Sequence, residues 1–247
     1  MDDTKNLHQI FEELQSIFPG QQHHERELRS WFRHYLYLLE LSSLYEGNTL
    51  EIGTGFGVLA AGLSKQPGKT VFTIEHPSRT YFHESNYANY FLKNRIHLIG
   101  ADVNDGLPFA SHTFDLICCC DVIEHLWPKQ IDILSNEIHR TMKPGGYLIL
   151  STPNLGRIQN IWRFLKGQPV NPKLSVDTFG DTFGHIREFL PKELIEIFAS
   201  FDLKKIAYRP LLPVDDYFFS KKGEIMSTVA YFFPRWREEF YLLMRKR

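Results

Sequence analysis

The stretch TLEIGTGFGVLA, from Thr49 to Ala60, places three glycines at alternate positions between two apolar runs. The first run is typical of a buried strand, and the second begins a helical pattern. Glycines at such a turn let the backbone lie directly against a ligand at the N-terminus of the helix. The segment therefore predicts a strand, a turn and a helix that together hold a ligand.

Short β-rich runs and helical patterns alternate through the middle of the chain. The predicted strands are Asn48–Gly53, Thr70–Glu75, Arg95–Ile99, Phe114–Val122 and Tyr147–Ser151. The predicted helices are Leu59–Ser64, Arg79–Lys93 and Gln130–Met142. This alternation predicts an α/β fold with a mostly parallel sheet covered by helices on both faces.

The two ends of the chain differ from this pattern. Residues 1–46 predict N-terminal helices, broken at Pro19-Gly20, ahead of a domain over residues 47–247. About 30 residues after Asn154 are rich in glycine, proline and aromatic residues, and a loop of that length in a compact domain usually has a function. We predict that residues 155–184 form a cap on the side where ligands of open α/β sheets bind. The remaining predictions are a helix at Lys192–Ser200, a strand near Leu203–Tyr208, an amphipathic helix in EIMSTVAYFFP and a closing strand in EEFYLLMRKR.

Composition limits the function classes. The chain has 247 residues, 43% of them hydrophobic, and a formal net charge of -1, so neither disorder nor a nucleic-acid partner is expected. No apolar run approaches the roughly 20 residues of a membrane-spanning helix, and we expect a cytoplasmic protein. The three cysteines, Cys118 to Cys120, are consecutive in a predicted strand and alternate between its faces, which predicts buried apolar packing rather than a metal or disulfide framework.

The glycine spacing argues against a dinucleotide. The sequence has Gly53-x-Gly55-x-Gly57, and Val58 occupies the position where a dinucleotide fingerprint has its third glycine. Glu51 adds negative charge beside the turn, which would repel a phosphate but suit an ammonium or sulfonium group.

Two further acids follow the next two predicted strands. Glu75 ends the second strand, where a carboxylate can accept both hydroxyls of an adenosine ribose. Asp102 follows the third strand, where it can accept the exocyclic amine of an adenine. Together with the glycines, these acids predict a ligand that contains a nucleoside.

The chain resembles the class I S-adenosylmethionine-dependent methyltransferases, and within them the small-molecule branch that includes quinone-biosynthesis (type 11/12) methyltransferases. The resemblance rests on LEIGTGFG, IE, GADVNDGLPFASHTFDLICCCDVIEHL and MKPGGYLILSTPN. It implies a Rossmann-like, doubly wound seven-stranded sheet of order 3-2-1-4-5-7-6 with only the final strand antiparallel. It also implies S-adenosyl-L-methionine as cofactor. The implied cofactor-binding residues are Glu51, Gly53, Thr54, Gly55, Gly57, Glu75, His76, Asp102, Val103, Asp121 and Val122.

The resemblance also bears on the acceptor side. His125 in DVIEHL and His185 in FGHIREF are candidates for a base that takes a proton from the acceptor, since histidine titrates near neutrality. We expect His125 to begin a helix near the methyl group, and His185 to approach from the opposite side. The metal-dependent branch uses carboxylates at the strand ends beside the substrate, whereas the fifth strand here ends in Ser151-Thr152-Pro153-Asn154, so we expect no metal.

The expected activity is methylation of a small-molecule, lipid-linked or glycan-precursor acceptor, with oxygen favoured over nitrogen or carbon. A non-catalytic cofactor-binding or scaffold protein on the same fold is the alternative, and a nicotinamide oxidoreductase is disfavoured by the glycine spacing. Aromatic residues near Trp31 predict core packing or a lid over the cofactor. The arginines beside Phe232 and Trp236 leave peripheral membrane contact open, and the oligomeric state is open as well.

Overall fold

A computed structural model describes residues 3–17, 25–170, 175–176, 182–183, 185–209 and 221–247. Its main sheet has seven strands in the order 3-2-1-4-5-7-6. They are β1 (Gly47–Ile52), β2 (Lys69–Glu75), β3 (Ile96–Gly100), β4 (Phe114–Cys120), β5 (Met142–Pro153), β6 (Phe201–Tyr208) and β7 (Glu239–Lys246). Strand β7 is antiparallel to both of its neighbours, and the first five strands pair in parallel. The predicted architecture is confirmed.

Eight α-helices lie in the described part of the chain. They are α1 (Asp3–Ile17), α2 (Glu25–Ser42), α3 (Val58–Ser64), α4 (Ser85–Lys93), α5 (Pro128–Thr141), α6 (Ile158–Leu165), α7 (Pro191–Ile197) and α8 (Lys221–Phe232). Two hydrophobic clusters form where helices pack on the sheet, one with α1 to α4 and one with α5 and α7. Cys118 belongs to the first cluster and Cys119 to the second, so the cysteine run does alternate between the faces of β4.

Helix α5 begins at Pro128, two residues before the predicted start at Gln130 and three residues after His125. Pro128 occupies its first turn, where a missing N–H costs nothing, and the side chain of Gln130 accepts a hydrogen bond from the Trp127 N–H at 2.8 Å. His125 therefore does not begin a helix as expected. It ends a separate 3₁₀ turn, Ile123–His125, directly after β4.

The N-terminal helices pack against α3. Leu7, Ile10 and Leu14 of α1 are buried in the hydrophobic cluster that includes α3. A Cβ on Gly62 would lie 2.7 Å from the methyl groups of Leu39, so the absence of a side chain at Gly62 lets α2 approach α3. The adjacent histidines His23 and His24, which the sequence predicts to be solvent-exposed helix residues rather than a pair of ligands, lie outside the described residues.

The segment after β5 is described in part. It contains α6 and an antiparallel pair of two-residue strands, Ser175–Val176 and Thr182–Phe183. Phe179, which the cap prediction included, lies outside the described residues. Among the described helices, none has the length and apolar character that crossing a membrane requires.

Candidate functional site

The glycine turn between β1 and α3 uses its three glycines in two different ways. A Cβ on Gly53 would lie 2.5 Å from Val122, and a Cβ on Gly57 would lie 2.5 Å from the ring of Phe91. A Cβ on Gly55 would meet no atom within 4 Å, although its φ of +50° also favours glycine. The outer glycines are thus required by packing inside the protein, and the middle one faces open space in which a ligand could lie.

Two hydrogen bonds hold the turn. The Gly55 N–H donates to Oε2 of Glu75 at 2.8 Å, and the Tyr87 hydroxyl donates to the Gly55 carbonyl at 2.7 Å. Tyr87 is fully buried, so it anchors the turn from inside the protein. The open face of Gly55 is therefore a fixed surface.

Glu51 is a buried carboxylate under this turn. The Thr54 hydroxyl contacts that of Thr73 at 2.6 Å, and Thr73 donates to Oε2 of Glu51 at 2.7 Å. Burial and, to a smaller extent, repulsion by Glu75 raise the pKa of Glu51 to about 8, although the Thr73 hydrogen bond opposes this shift. A carboxylate in this position would be stabilised by a cationic ligand group.

The ends of β2 and β3 bring the predicted nucleoside residues together. Oε1 of Glu75 accepts from the His76 N–H at 2.8 Å. His76 Nε2 lies 3.4 Å from Oδ2 of Asp102. Asp102 also caps the 3₁₀ turn that begins at Val103, since its Oδ1 accepts from the Asn104 N–H at 2.9 Å. This backbone hydrogen bond, together with His76, lowers the pKa of Asp102. Both acids thus support the local backbone.

Asp121 follows β4 in a left-handed conformation with φ of +53°. Its Oδ1 accepts from the Ser151 hydroxyl at 3.2 Å, and its Oδ2 lies 3.4 Å from Nε2 of His34 on α2. The other ring nitrogen of His34 lies 2.7 Å from Oε1 of Glu239. Burial and repulsion by Glu239 raise the pKa of Asp121 to about 7, with His34 acting in the opposite direction.

The two candidate histidines are neighbours. The rings of His125 and His185 are 5.2 Å apart at 79°. The Glu124 carbonyl accepts from the Ile186 N–H at 2.7 Å, which holds the segment that contains His185 beside the turn after β4. The expectation that His185 approaches from the side opposite His125 is therefore wrong, because this backbone contact brings both rings together.

Buried carboxylates surround the histidine pair. Oε2 of Glu124 accepts from the Thr152 hydroxyl at 2.9 Å. Burial and, as a smaller effect, repulsion by Asp121 raise the pKa of Glu124 strongly. Nδ1 of His185 lies 3.6 Å from Oε1 of Glu188. Burial favours a higher pKa for Glu188, but its interactions with His185, Arg157 and Asn160 lower the pKa overall.

Two sets of side chains in the described residues could hold a metal ion. Glu124, His125 and His185 form one set, and each offers a ligand atom within 4.8 Å of the others. The other set consists of His34, Asp121 and Glu239. Two histidines with one carboxylate are a donor set suited to transition metals. The expectation that no metal is used stays a prediction.

Three residues of this region were not predicted from the sequence: His34, Glu124 and Glu239. Glu124 could have been predicted, because it lies in the DVIEHL motif beside the candidate His125. His34 and Glu239 had no such signal. They lie near opposite ends of the chain and reach Asp121 only through the packing of α2 and the pairing of β7.

The residues around Gly55 fit S-adenosylmethionine. The middle glycine leaves room against bare backbone, the buried Glu51 suits a positive charge, and Glu75 and Asp102 follow successive strands. Glu75 and Asp102, the acids expected to bind the nucleoside, thus lie at the carboxyl ends of two neighbouring strands, as the resemblance implies.

Residues 50–150 match the protein family described as "Methyltransferase domain". The chain is 28% identical over 114 residues, 44% of its length, to the biotin biosynthesis bifunctional protein BioHC of Teredinibacter turnerae. It is 26% identical over 220 residues, 82% of its length, to the tRNA N(3)-cytidine methyltransferase METTL2 of Danio rerio. These alignments span 17% and 61% of the two relatives.

Solved structures show the same fold. One from Methanosarcina mazei, described as a SAM-dependent methyltransferase, superposes with a TM-score of 0.57 at 18% sequence identity. The superposition covers 81% of this chain and 92% of the other. The segment that matches the methyltransferase family, residues 50–150, runs from β1 to β5 and contains the glycine turn, Glu75 and Asp102. Residues 50–150 therefore form a methyltransferase domain of the class I S-adenosylmethionine-dependent type, and its cofactor is S-adenosylmethionine.

Proposed function

We propose that this protein transfers a methyl group from S-adenosylmethionine to a hydroxyl of a small-molecule, lipid-linked or glycan-precursor acceptor. The observation that carries the proposal is the cluster of proton-accepting side chains directly after β4. His125 and His185 pack edge to face there, beside Glu124, which lies three residues after Asp121. A hydroxyl acceptor needs such a base, whereas an amine needs only to be bound deprotonated.

The cofactor would lie between the glycine turn and the end of β4. Glu51, Gly53, Thr54, Gly55 and Gly57 would surround its methionine half. On the nucleoside side, the proposed contacts are Glu75, His76, Asp102 and Val103. Val122 already contacts Gly53, which supports a methyl-transfer position bordered by Asp121 and Val122.

S-adenosylmethionine supplies a methyl group that its sulfonium activates toward nucleophiles. The imidazole of His125 or His185 would accept the hydroxyl proton as the new oxygen–carbon bond forms and the carbon–sulfur bond breaks. Glu51 would balance the positive charge of the bound cofactor before transfer. The protein otherwise contributes alignment and exclusion of water.

The N-terminal helices and the segment after β5 would close the site from two sides. His34 of α2 reaches Asp121, which supports the assignment of residues 1–46 as a lid over the domain formed by residues 47–247. On the acceptor side, Arg157 donates to the buried Glu188 at 2.5 Å, and this bond ties the proposed cap, residues 155–184, to the loop that contains His185.

An acceptor screen with radiolabelled cofactor tests the proposal. Phenols, polyprenyl-linked precursors, amines and transfer RNA are offered separately, and incorporated label is measured. METTL2 by its description acts on cytidine in tRNA, whereas the net charge of -1 here gives no support for a polyanion partner. Label in a hydroxyl acceptor supports the proposal. Binding of cofactor by calorimetry with no label in any acceptor would favour the non-catalytic alternative.

A further inference from the structure

Helix α6 exposes large apolar side chains and buries a polar one. Its one buried residue is Asn160, whose amide donates to Oε2 of the buried Glu188 at 2.7 Å. Trp162, Phe164 and Leu165 point outward with 41%, 74% and 71% of their surface exposed. A helix on a water-facing surface normally buries its apolar side and exposes its polar side. The outer side of α6 therefore suits an apolar environment.

A second apolar segment lies beside α6. It comprises the end of α8 and the 3₁₀ turn Pro234–Trp236 that follows. Phe232 and Phe233 are 71% and 54% exposed. The Asn154 side chain, at the end of β5, donates to the carbonyl of Arg235 at 2.9 Å and so fixes this turn near the start of α6.

We call the exposed side chains of these two segments the aromatic patch. Its members are Trp162, Phe164, Leu165, Tyr231, Phe232, Phe233 and Trp236. They are seven of the 14 large apolar residues that are exposed in the described part of the chain. Single exposed apolar residues are ordinary, but this concentration marks an interaction surface.

The two segments that carry the aromatic patch contain basic residues but no acidic ones. Residues 152–176 and residues 225–237 contain no aspartate or glutamate. Arg163, Lys166 and Arg235 are exposed there, and the Lys166 ammonium lies 5.2 Å from the centre of the Trp162 ring. Aromatic residues interleaved with cations are the composition of segments that lie in the headgroup region of an anionic membrane.

We propose that the aromatic patch docks on an anionic lipid bilayer. Tryptophan and tyrosine favour the membrane interface, and the basic residues complement anionic headgroups. The patch also adjoins the segment that leaves β5 on the proposed acceptor side, so a docked protein would present that side to the membrane. A lipid-linked acceptor follows from the docking only if the proposed function holds. The docking itself does not depend on the proposed function.

Vesicle sedimentation tests the docking. Binding is measured with vesicles of phosphatidylcholine alone and with vesicles in which phosphatidylglycerol replaces part of it. We expect binding that requires phosphatidylglycerol and weakens with salt. The double variant Phe164→Ser/Phe232→Ser should lower the partition coefficient between vesicles and water about 10-fold or more, because it removes two highly exposed aromatic side chains.

Matched controls separate the patch from general surface properties. Leu44 and Leu92 are 75% and 76% exposed but lie outside the patch, so Leu44→Ser/Leu92→Ser should bind vesicles like the wild type. Arg163→Glu/Lys166→Glu should lose binding, whereas Lys93→Glu/Lys129→Glu, which makes the same change of charge elsewhere, should lose much less. Cofactor affinity by calorimetry should stay unchanged in all four variants, and this measurement distinguishes a failure of docking from a failure of the proposed function.

Three results would overturn the proposal. One is the absence of phosphatidylglycerol-dependent binding. Another is equal loss of binding in the patch variant and in its leucine control. The third is a wild-type dimer, measured by light scattering, that Phe164→Ser/Phe232→Ser converts to a monomer without any vesicle binding, because a second copy of the chain would then cover the patch.

Discussion

Nδ1 of His34 lies 2.7 Å from Oε1 of Glu239, and this contact joins the second helix of the chain to the last strand of the sheet. Burial alone would lower the pKa of His34, but the carboxylates of Glu239 and Asp121 outweigh burial and raise it. Burial likewise favours a higher pKa for Glu239, and the His34 charge reverses this effect. A buried ion pair thus fixes α2 next to Asp121.

Replacing His34 by leucine should lower the free energy of unfolding by about 3–5 kcal/mol, because Glu239 stays buried and Arg209, at 3.5 Å, is its remaining cationic partner among the described residues. The histidine has a raised pKa in the folded state, so its contribution is complete below its ordinary pKa of 6.5 and is lost as the pH rises through the folded value. Glu239 has a lowered pKa, so its part is present above 4.5. Urea unfolding of both proteins near pH 6 and near pH 9 measures this difference. An equal cost at the two pH values would contradict the ion pair.

The contact between His34 and Glu239 also shows what the sequence could not predict. The glycine turn and the strand ends follow from local patterns, since each strand–turn–helix unit is contiguous in sequence. The sheet order was implied instead by the resemblance to the methyltransferase family. The partner of Asp121 depends instead on how α2 packs against α3 and on where β7 enters the sheet. Such long-range packing has no periodic signature in a single sequence.

The histidine pair shows the same division. The DVIEHL motif placed His125 after β4 correctly, but Pro128 delays the helix and leaves His125 in a 3₁₀ turn. The predicted position of His185 was wrong because its actual position depends on a backbone hydrogen bond from the Ile186 N–H to the Glu124 carbonyl. This bond joins two segments that are far apart in the chain.

Replacing Gly55 by alanine should weaken S-adenosylmethionine binding at least about 10-fold, since the added methyl group would project into the space proposed for the cofactor. Gly167 is a matched control: its φ is +65°, and a Cβ there also meets nothing within 4 Å. Both substitutions carry the same kind of backbone strain, so Gly167→Ala should bind normally. Calorimetry measures both affinities. Equal affinities in the two variants would show that the turn does not face the cofactor.

Replacing Glu75 by glutamine should weaken cofactor binding by roughly 1–3 kcal/mol, because a carboxylate that accepts the ribose hydroxyls is lost. Glu75 also accepts from the Gly55 and His76 N–H groups, so thermal unfolding is followed alongside the affinity. A variant with normal affinity would remove Glu75 from the cofactor site, whatever its stability.

Once an acceptor is known, His125→Gln and His185→Gln identify the base. The variant that removes it should lose about 10²-fold or more in turnover while cofactor affinity stays near that of the wild type. The wild type is assayed with and without a chelator. Turnover that a chelator abolishes and a divalent cation restores would assign Glu124, His125 and His185 to metal binding instead of proton transfer. If neither histidine variant loses turnover, the transfer proceeds without a base from this pair.

The buried Glu51 predicts a pH-dependent affinity for the cofactor. Its pKa of about 8 means that this carboxyl is largely protonated at neutral pH in the free protein, because burial disfavours its charge. A bound sulfonium or ammonium group favours the ionised form, so binding should release a proton near pH 7. Affinity should therefore rise with pH, by at most about tenfold per unit for one group, and level off above the pKa. Calorimetry in two buffers of different ionisation enthalpy measures the released proton directly. Glu51→Gln should abolish both the slope and the proton release, whereas the exposed Glu40→Gln should keep them. A slope that persists in Glu51→Gln would place the titrating group elsewhere, with Asp121, whose pKa is about 7, as the next residue to replace.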